Sequence, residues 1–298
     1  MKELPIINVK DIMPSNKDEL KCGPDLEFEN GSCIPLNILV DMAEAYNKYC
    51  KDNNKDDKIK LNSRLDTLYP DEYKKYLLHE FKMRYNNNQK DWIKKNFTEY
   101  MSDESKHILE NIVFRPEGPQ GKFDWLSTID INKVLFQYES KYIDFKFLGA
   151  VPMDFNDLDY LPFKDIEKYL NKLYGDKIYR IGVIFNTDES YKSGKHWISL
   201  FADLHKGQIY YSDSYGIRPE QRVIDLINRI EKFIESKGIT DIDIRYNKTQ
   251  HQKGNSECGV YSINFILRLL KGKTFDHITR KRLTDEKVNK CRVVYFGK

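Results

Sequence analysis

The segment QKGNSECGVYSINFILRLL, residues 252–270, decides how the chain is read. Its apolar residues Val260, Tyr261, Ile263, Phe265, Ile266, Leu269 and Leu270 fall at helical spacing, and Gly272 supplies a stop. The spacing predicts a buried helix opened by Cys258-Gly259. A cysteine at the head of an apolar helix is ordinarily a small buried filler. It becomes a nucleophile when a helix N-terminus and a neighbouring imidazolium favour its thiolate, and a glycine beside it lets a substrate backbone come close. The helix meets the first condition; the imidazole must come from elsewhere in the chain.

Working back from Cys258, strand-like runs occupy 147–153, 178–185, 197–204 and 208–211, with a helix near 163–173 between the first two. An amphipathic helix at 219–236 stops before Gly238, and a further alternating strand spans 241–246. Strands followed by a cysteine-headed helix make this part α+β, a central mixed β-sheet flanked by helices. His196, in Gly194-Lys195-His196-Trp197-Ile198, opens the third run, and Asp213, in Ser212-Asp213-Ser214, closes the fourth. If those strands form a hairpin, the start of one lies beside the end of the other, bringing His196 and Asp213 into reach. A carboxylate on one imidazole nitrogen fixes the tautomer and leaves the other nitrogen to take a thiol proton. An oxyanion would be received by the Cys258 amide and a side-chain N–H, for which Gln252 is the candidate and Gln250 and Asn255 are competitors.

The first third reads as mainly helical. Residues 1–20 show no periodicity, whereas Leu36, Leu39, Met42, Ala43 and Tyr46 recur at helical spacing after Pro35. A polar run at 51–58 is a loop, and helices are expected at 70–83, with Pro70 in the first turn, and at 102–113. Arg115 to Gly121 holds two prolines and two glycines in seven residues and marks the boundary between an N-terminal region, 1–115, and a catalytic domain, 116–298. Ser127-Thr128-Ile129-Asp130 then reads as a capping box.

Composition narrows the function. With 49 basic and 46 acidic residues the net charge of +3 does not indicate a nucleic-acid partner. No apolar run is long enough for a membrane span, and charges at Lys2, Glu3, Lys10, Asp11 and Lys17 speak against a secretory signal, so no membrane association is expected and a cytosol-like compartment is. Five cysteines, Cys22, Cys33, Cys50, Cys258 and Cys291, an odd number without CxxC spacing, argue against a disulfide framework and a zinc site; Cys22 and Cys33 could pair in principle, but a reducing compartment favours thiols. No metal or cofactor is expected.

His-Trp, then Asp-Ser, then a glutamine with five residues before an acidic-Cys-Gly, resembles the clan of ubiquitin-like-protein-specific (SUMO) proteases and adenovirus proteases. The segments that carry the likeness are GKHWISLF from Gly194, YYSDSYG from Tyr210, QKGNSECGVYSINFI from Gln252 and the stretch Asp124 to Asn132. It covers about 120–275 and is similar above all to proteases of large DNA viruses, of the African swine fever virus and giant-virus type, with Cys-Gly-Pro…Asn-Gly-Ser-Cys at Cys22 to Cys33 as a further shared piece. The resemblance implies catalytic His196, Asp213, Cys258 and Gln252. It also implies a narrow cleft walled by Trp197 and Trp125, and cleavage after Gly-Gly-X sites in structural polyproteins during virion maturation. The expected partner is thus a protein with a glycine-rich cleavage site, met at a viral assembly site in host cytoplasm or in the virion. The alternative within the clan is removal of SUMO or ubiquitin-like modifiers from host proteins. Acyl transfer to Ser or Lys is a third chemistry of the clan, usually with a glutamate where this chain has Asp213, and an inactive scaffold would have no reason to keep all four residues. Glu257 replaces the aspartate that cellular members carry before the cysteine, and the region before 115 has no counterpart in them.

Overall fold

The computed structural model describes residues 21–297, so the irregular lead and missing signal read at 1–20 lie outside the described residues. Two compact units emerge, one ending at Pro116 and the other running Glu117–Phe296, so the chain passes from one to the other inside the Pro- and Gly-rich stretch. Among the described residues no helix is long and apolar enough to cross a membrane.

The first unit is helical: α1 (Leu36–Asp52), α2 (Ser63–Leu68), α3 (Pro70–Arg84), α4 (Gln89–Trp92) and α5 (Asp103–Asn111). Helix α1 buries Leu39, Met42, Ala43 and Tyr46, the face that the sequence predicts. Pro70 sits in the first turn of α3, and the Ser102 hydroxyl caps α5 by accepting the Ser105 amide at 3.2 Å. Phe81 joins these helices, with Trp92 and Phe97 each 5.5 Å from its ring centre. Helices α2 and α4 are too short to show a period, although Asn62 and Asn88 cap them by side-chain bonds to the second residue on.

One expectation fails here: Cys22 and Cys33 are disulfide-bonded, with Cα atoms 5.3 Å apart. The odd cysteine count argues against a framework of several bridges but says nothing against a single local one. Asn30 at φ 53° and Gly31 at φ 84° form a tight turn in which Glu29 and Ser32 exchange two backbone hydrogen bonds of 3.0 Å. That turn folds 22–33 back on itself and brings the two sulfurs together, so Asn-Gly was the overlooked signal.

The second unit holds a five-stranded sheet whose spatial order follows the sequence: β1 (Phe145–Val151), β2 (Arg180–Asn186), β3 (Trp197–Asp203), β4 (Gln208–Ser212) and β5 (Asp243–Tyr246). The pairs β1–β2 and β4–β5 are parallel, while β2–β3 and β3–β4 are antiparallel, with Phe185 opposite Ile198 and Ser199 opposite Ser212. Each parallel pair needs a crossover, supplied by α7 (Ile166–Gly175) and α8 (Gln221–Ser236). Leu170, Leu173, Val223, Leu226, Ile230 and Phe233 of these helices form one core with Val183, Leu200, Ile209 and Tyr211 of the sheet. Helix α9 (Cys258–Leu270) is buried over all 13 of its residues and packs on the sheet, where Ile266 stands close to Gly182.

Helix α6 (Thr128–Lys141) starts with the predicted capping box, Ser127 and Asp130 bonding each other's backbone. It also closes the free edge of β1: Glu139 accepts the Phe147 amide at 2.9 Å and Asn132 the Ala150 amide at 2.8 Å, on either side of an irregularity in the strand. Three short helices, α10 (Phe275–Thr279), α11 (Asp285–Asn289) and α12 (Arg292–Tyr295), complete the unit and had no periodic signal.

Closing a loop with a sequence separation of 11 should stabilise the first unit by about 2 to 3 kcal/mol. Thermal melts with and without a reductant are expected to differ for the native chain and to coincide for Cys22→Ser/Cys33→Ser. Equal melting of the oxidised and reduced native chain would refute the bond.

Candidate active site

The β3–β4 hairpin turns tightly, because Asp203 accepts the His205 and Lys206 amides at 3.2 and 2.9 Å and Gly207 takes φ +66°. His196 just before β3 and Asp213 just after β4 therefore meet, with His196 Nε2 2.9 Å from Asp213 Oδ1. Asp213 is almost fully buried, and the same oxygen accepts the Tyr215 amide at 2.8 Å. Its carbonyl receives Asn247 Nδ2 at 2.9 Å and the Gly216 amide at 2.8 Å. Gly216 has φ +75°, and a Cβ there would stand 2.9 Å from the Lys248 carbonyl oxygen, so only glycine lets the turn press against the chain leaving β5.

Nε2 is engaged by the carboxylate, which leaves Nδ1 as the second ring nitrogen, and the Cys258 side chain is near enough to the imidazole to act on its protonation. Burial by itself would lower the His196 pKa. The Asp213 hydrogen bond, the neighbouring Cys258 and the charges of both outweigh burial and hold it up at about 9. The Tyr215 ring stacks on the imidazole with centres 4.8 Å apart, and its hydroxyl donates to the Gly254 carbonyl at 2.7 Å. One side chain thereby ties the histidine to the loop that leads into the cysteine.

Cys258 is the first residue of α9, and no side chain caps that helix, so its leading amides remain open for a ligand. Gln252 is fully buried; its Oε1 accepts the Ser214 hydroxyl at 2.6 Å and its Nε2 donates one hydrogen to the Gly254 carbonyl at 3.1 Å, leaving a second. Gln250 and Asn255 are exposed, and Gln250 Nε2 donates to the Gln252 carbonyl at 3.1 Å. Asp285 supports the loop by accepting the Lys253 and Gly254 amides at 3.0 and 2.9 Å. His251 accepts the Leu283 amide on Nδ1 at 3.0 Å, and burial, with Arg268 and Arg282 nearby, pushes its pKa down to about 4.

Gly259 serves a different end from the one expected. A Cβ there would lie 3.0 Å from Leu126 Cβ, so the missing side chain makes room for Leu126 and not for a substrate backbone. The Leu126 carbonyl in turn accepts Trp197 Nε1 at 2.9 Å. Trp197 is thus built into the wall, whereas Trp125 is 48% exposed. Both line a cleft of 720 Å³ together with Gly149, Tyr160, Asn186 and Gly194, the last two residues before Lys195 there being Ser193 and Gly194. Sequence reasoning missed Tyr215, Asn247, His251 and Asp285. Tyr215 lies in the Asp213-Ser214-Tyr215-Gly216 turn and was within reach of it; the others become neighbours only through the tertiary fold. Among the described residues, no group of three or more His, Cys, Asp or Glu is placed to hold a metal ion.

Residues 176–297 match the Ulp1 protease family, C-terminal catalytic domain. A protein of Acanthamoeba polyphaga mimivirus named as a thiol protease is 38% identical over 287 residues, 92% of either chain. A SUMO-1 cysteine protease of African swine fever virus is 28% identical over 196 residues, 61% of this chain and 71% of the relative. The crystal structure of the African swine fever virus protease superposes with a TM-score of 0.62 at 21% identity, covering 97% of this chain and 99% of the other, and so has the same fold. With a relative this similar along nearly its whole length, the chain belongs to the Ulp1 protease family and is a cysteine protease.

Proposed function

We propose that the protein is an endopeptidase in which Cys258 is the nucleophile, His196 its acid and base, and Asp213 the carboxylate that orients the imidazole. The observation that carries this reading is the buried imidazole bonded to Asp213 and held beside Cys258 at the head of α9. The Cys258 thiolate attacks the scissile carbonyl, and the Cys258 amide with the second Gln252 Nε2 hydrogen receives the oxyanion. The imidazolium gives its proton to the departing amine; water, deprotonated by His196, then releases the acyl group.

The substrate of this reading is a Gly-Gly-X sequence in a viral structural polyprotein, cut at the assembly site in host cytoplasm. Side-chain-free residues suit a passage between Trp125 and Trp197. The African swine fever virus relative, a SUMO-1 cysteine protease, favours a second substrate, a SUMO-like modifier, cleaved with the same residues. A library of Gly-Gly-X peptides run beside SUMO and ubiquitin fusions separates the two. Peptide cleavage supports polyprotein processing, and turnover confined to folded modifiers rejects it.

Cys258→Ala should abolish turnover in a chain that still melts cooperatively; residual turnover there would refute the nucleophile. Asp213→Ala should lower kcat on the order of 100-fold or more, since the imidazole loses its orientation and not the thiol.

The stability that the fold gains from the imidazolium is fully present below a pH of 6.5 and is lost as pH rises through about 9, where the imidazolium itself deprotonates. The alkaline limb of kcat/KM should therefore lie near pH 9 and move to lower pH in Asp213→Asn. The stability advantage of the native chain over His196→Ala should fade across the same window. A limb that stays in place in Asp213→Asn would count against the pair.

All three free thiols are buried, but Cys258 stands beside His196 at a helix N-terminus, so thiol-directed electrophiles should label it ahead of Cys50 and of Cys291, whose thiol burial pushes up to about 12. Mass mapping of the modified peptide reads this directly, and faster labelling of Cys291 would contradict it.

A further inference from the structure

Arg292 opens α12 and is 1% exposed, yet the groups that hold its guanidinium are neutral. Nε donates to Asn289 Oδ1 at 2.8 Å, Nη1 to the Pro119 carbonyl at 3.2 Å, and Nη2 to the Asp124 carbonyl at 2.6 Å with the Ser256 carbonyl at 3.5 Å. Asn289 passes the connection on, donating Nδ2 to Glu257 Oε1 at 3.1 Å. Glu257 also accepts the Ser256 amide and hydroxyl at 3.1 and 3.0 Å.

Two strips of backbone are joined by this fork. One is Pro119 to Asp124, which runs into Trp125 and Leu126. The other is Ser256-Glu257-Cys258. A guanidinium is costly to bury and gains little stability over an apolar side chain of the same volume, whereas its rigid planar donors fix several acceptors at once. Glu257, read in the sequence only as a charge-keeping substitute, is the point where Asn289 links the fork to the residue before the nucleophile.

We propose that Arg292, acting with Asn289 through Glu257, is a positioning residue that holds the Cys258 amide in register with the Trp125 wall, so that a bound carbonyl meets the oxyanion donors and the sulfur together. This rests on the assignment of Cys258 as nucleophile. A displacement of about 1 Å in such a frame is enough to lower the rate by about 100-fold.

Full-length Arg292→Met, Arg292→Lys and Asn289→Ala are to be compared with the native chain for melting, for kcat and KM on the substrate that the native chain cleaves, and for alkylation of Cys258 by iodoacetamide. Alkylation needs the thiolate but no oxyanion site. The expected result is a 10- to 100-fold lower kcat in both Arg292 variants, KM within about threefold and alkylation within about threefold. Lysine should not rescue, because it keeps the charge and loses the fork. Asn289→Ala, at a half-buried position, should lose about 5- to 10-fold in kcat and decides the matter if the Arg292 variants do not fold. A kcat within twofold of native in the folded variants overturns the proposal, as does full rescue by lysine or a loss of alkylation equal to the loss of kcat. Cys258→Ala, run alongside, keeps the two readings apart. Turnover by Cys258→Ala, or none by the native chain, removes the nucleophile assignment and this proposal with it, whereas unaffected Arg292 and Asn289 variants beside a dead Cys258→Ala remove this proposal alone.

Discussion

Burial of α9 along its whole length is the constraint on which the second unit depends. A helix enclosed on every side must find partners for its first amides, and here no side chain provides them. The helix therefore begins where the sheet, the Asp213 turn and the stretch after Pro119 converge, with its first residue almost fully buried and its leading amides unclaimed. That end of the helix is costly to leave bare and suited to receive developing negative charge. The reactive position is in this sense a by-product of enclosing the helix completely.

Around that end, the hydrogen bonds form closed circuits. Asp213 holds His196, Tyr215 covers the imidazole and reaches Gly254, Gly254 receives Gln252, and Gln252 is fixed by Ser214 next to Asp213. Each group has its rotamer set by the next, so the geometry is in place before any peptide arrives. Asp285 and Arg292 extend these circuits to the last helices of the chain, which makes the C-terminal segment part of the machinery that shapes the loop and not a peripheral tail.

Much of this was legible in the sequence because period and order carry it. The face of α1, the capping box at Ser127, the α8 and α9 patterns and the His196–Asp213 hairpin follow from local rules, and the observed β1, Phe145–Val151, starts two residues before the expected run. What stayed hidden was tertiary or too short for a period. Leu126 fills the space at Gly259, Asn247 and His251 act through backbone atoms remote in sequence, and helices α10 to α12 have four or five residues each. The disulfide was missed for a different reason, since cysteine parity was weighed and the Asn30-Gly31 turn between the two sulfurs was not.

That turn has a consequence for how the first unit is made. Residues 22–33 are drawn into a loop by Asn30, Gly31 and the Glu29–Ser32 bonds as well as by the bridge, and both cysteines are buried. The hydrogen-bonded turn and the covalent link therefore close the same short loop, and the bridge constrains a segment whose reversal is also written into its backbone.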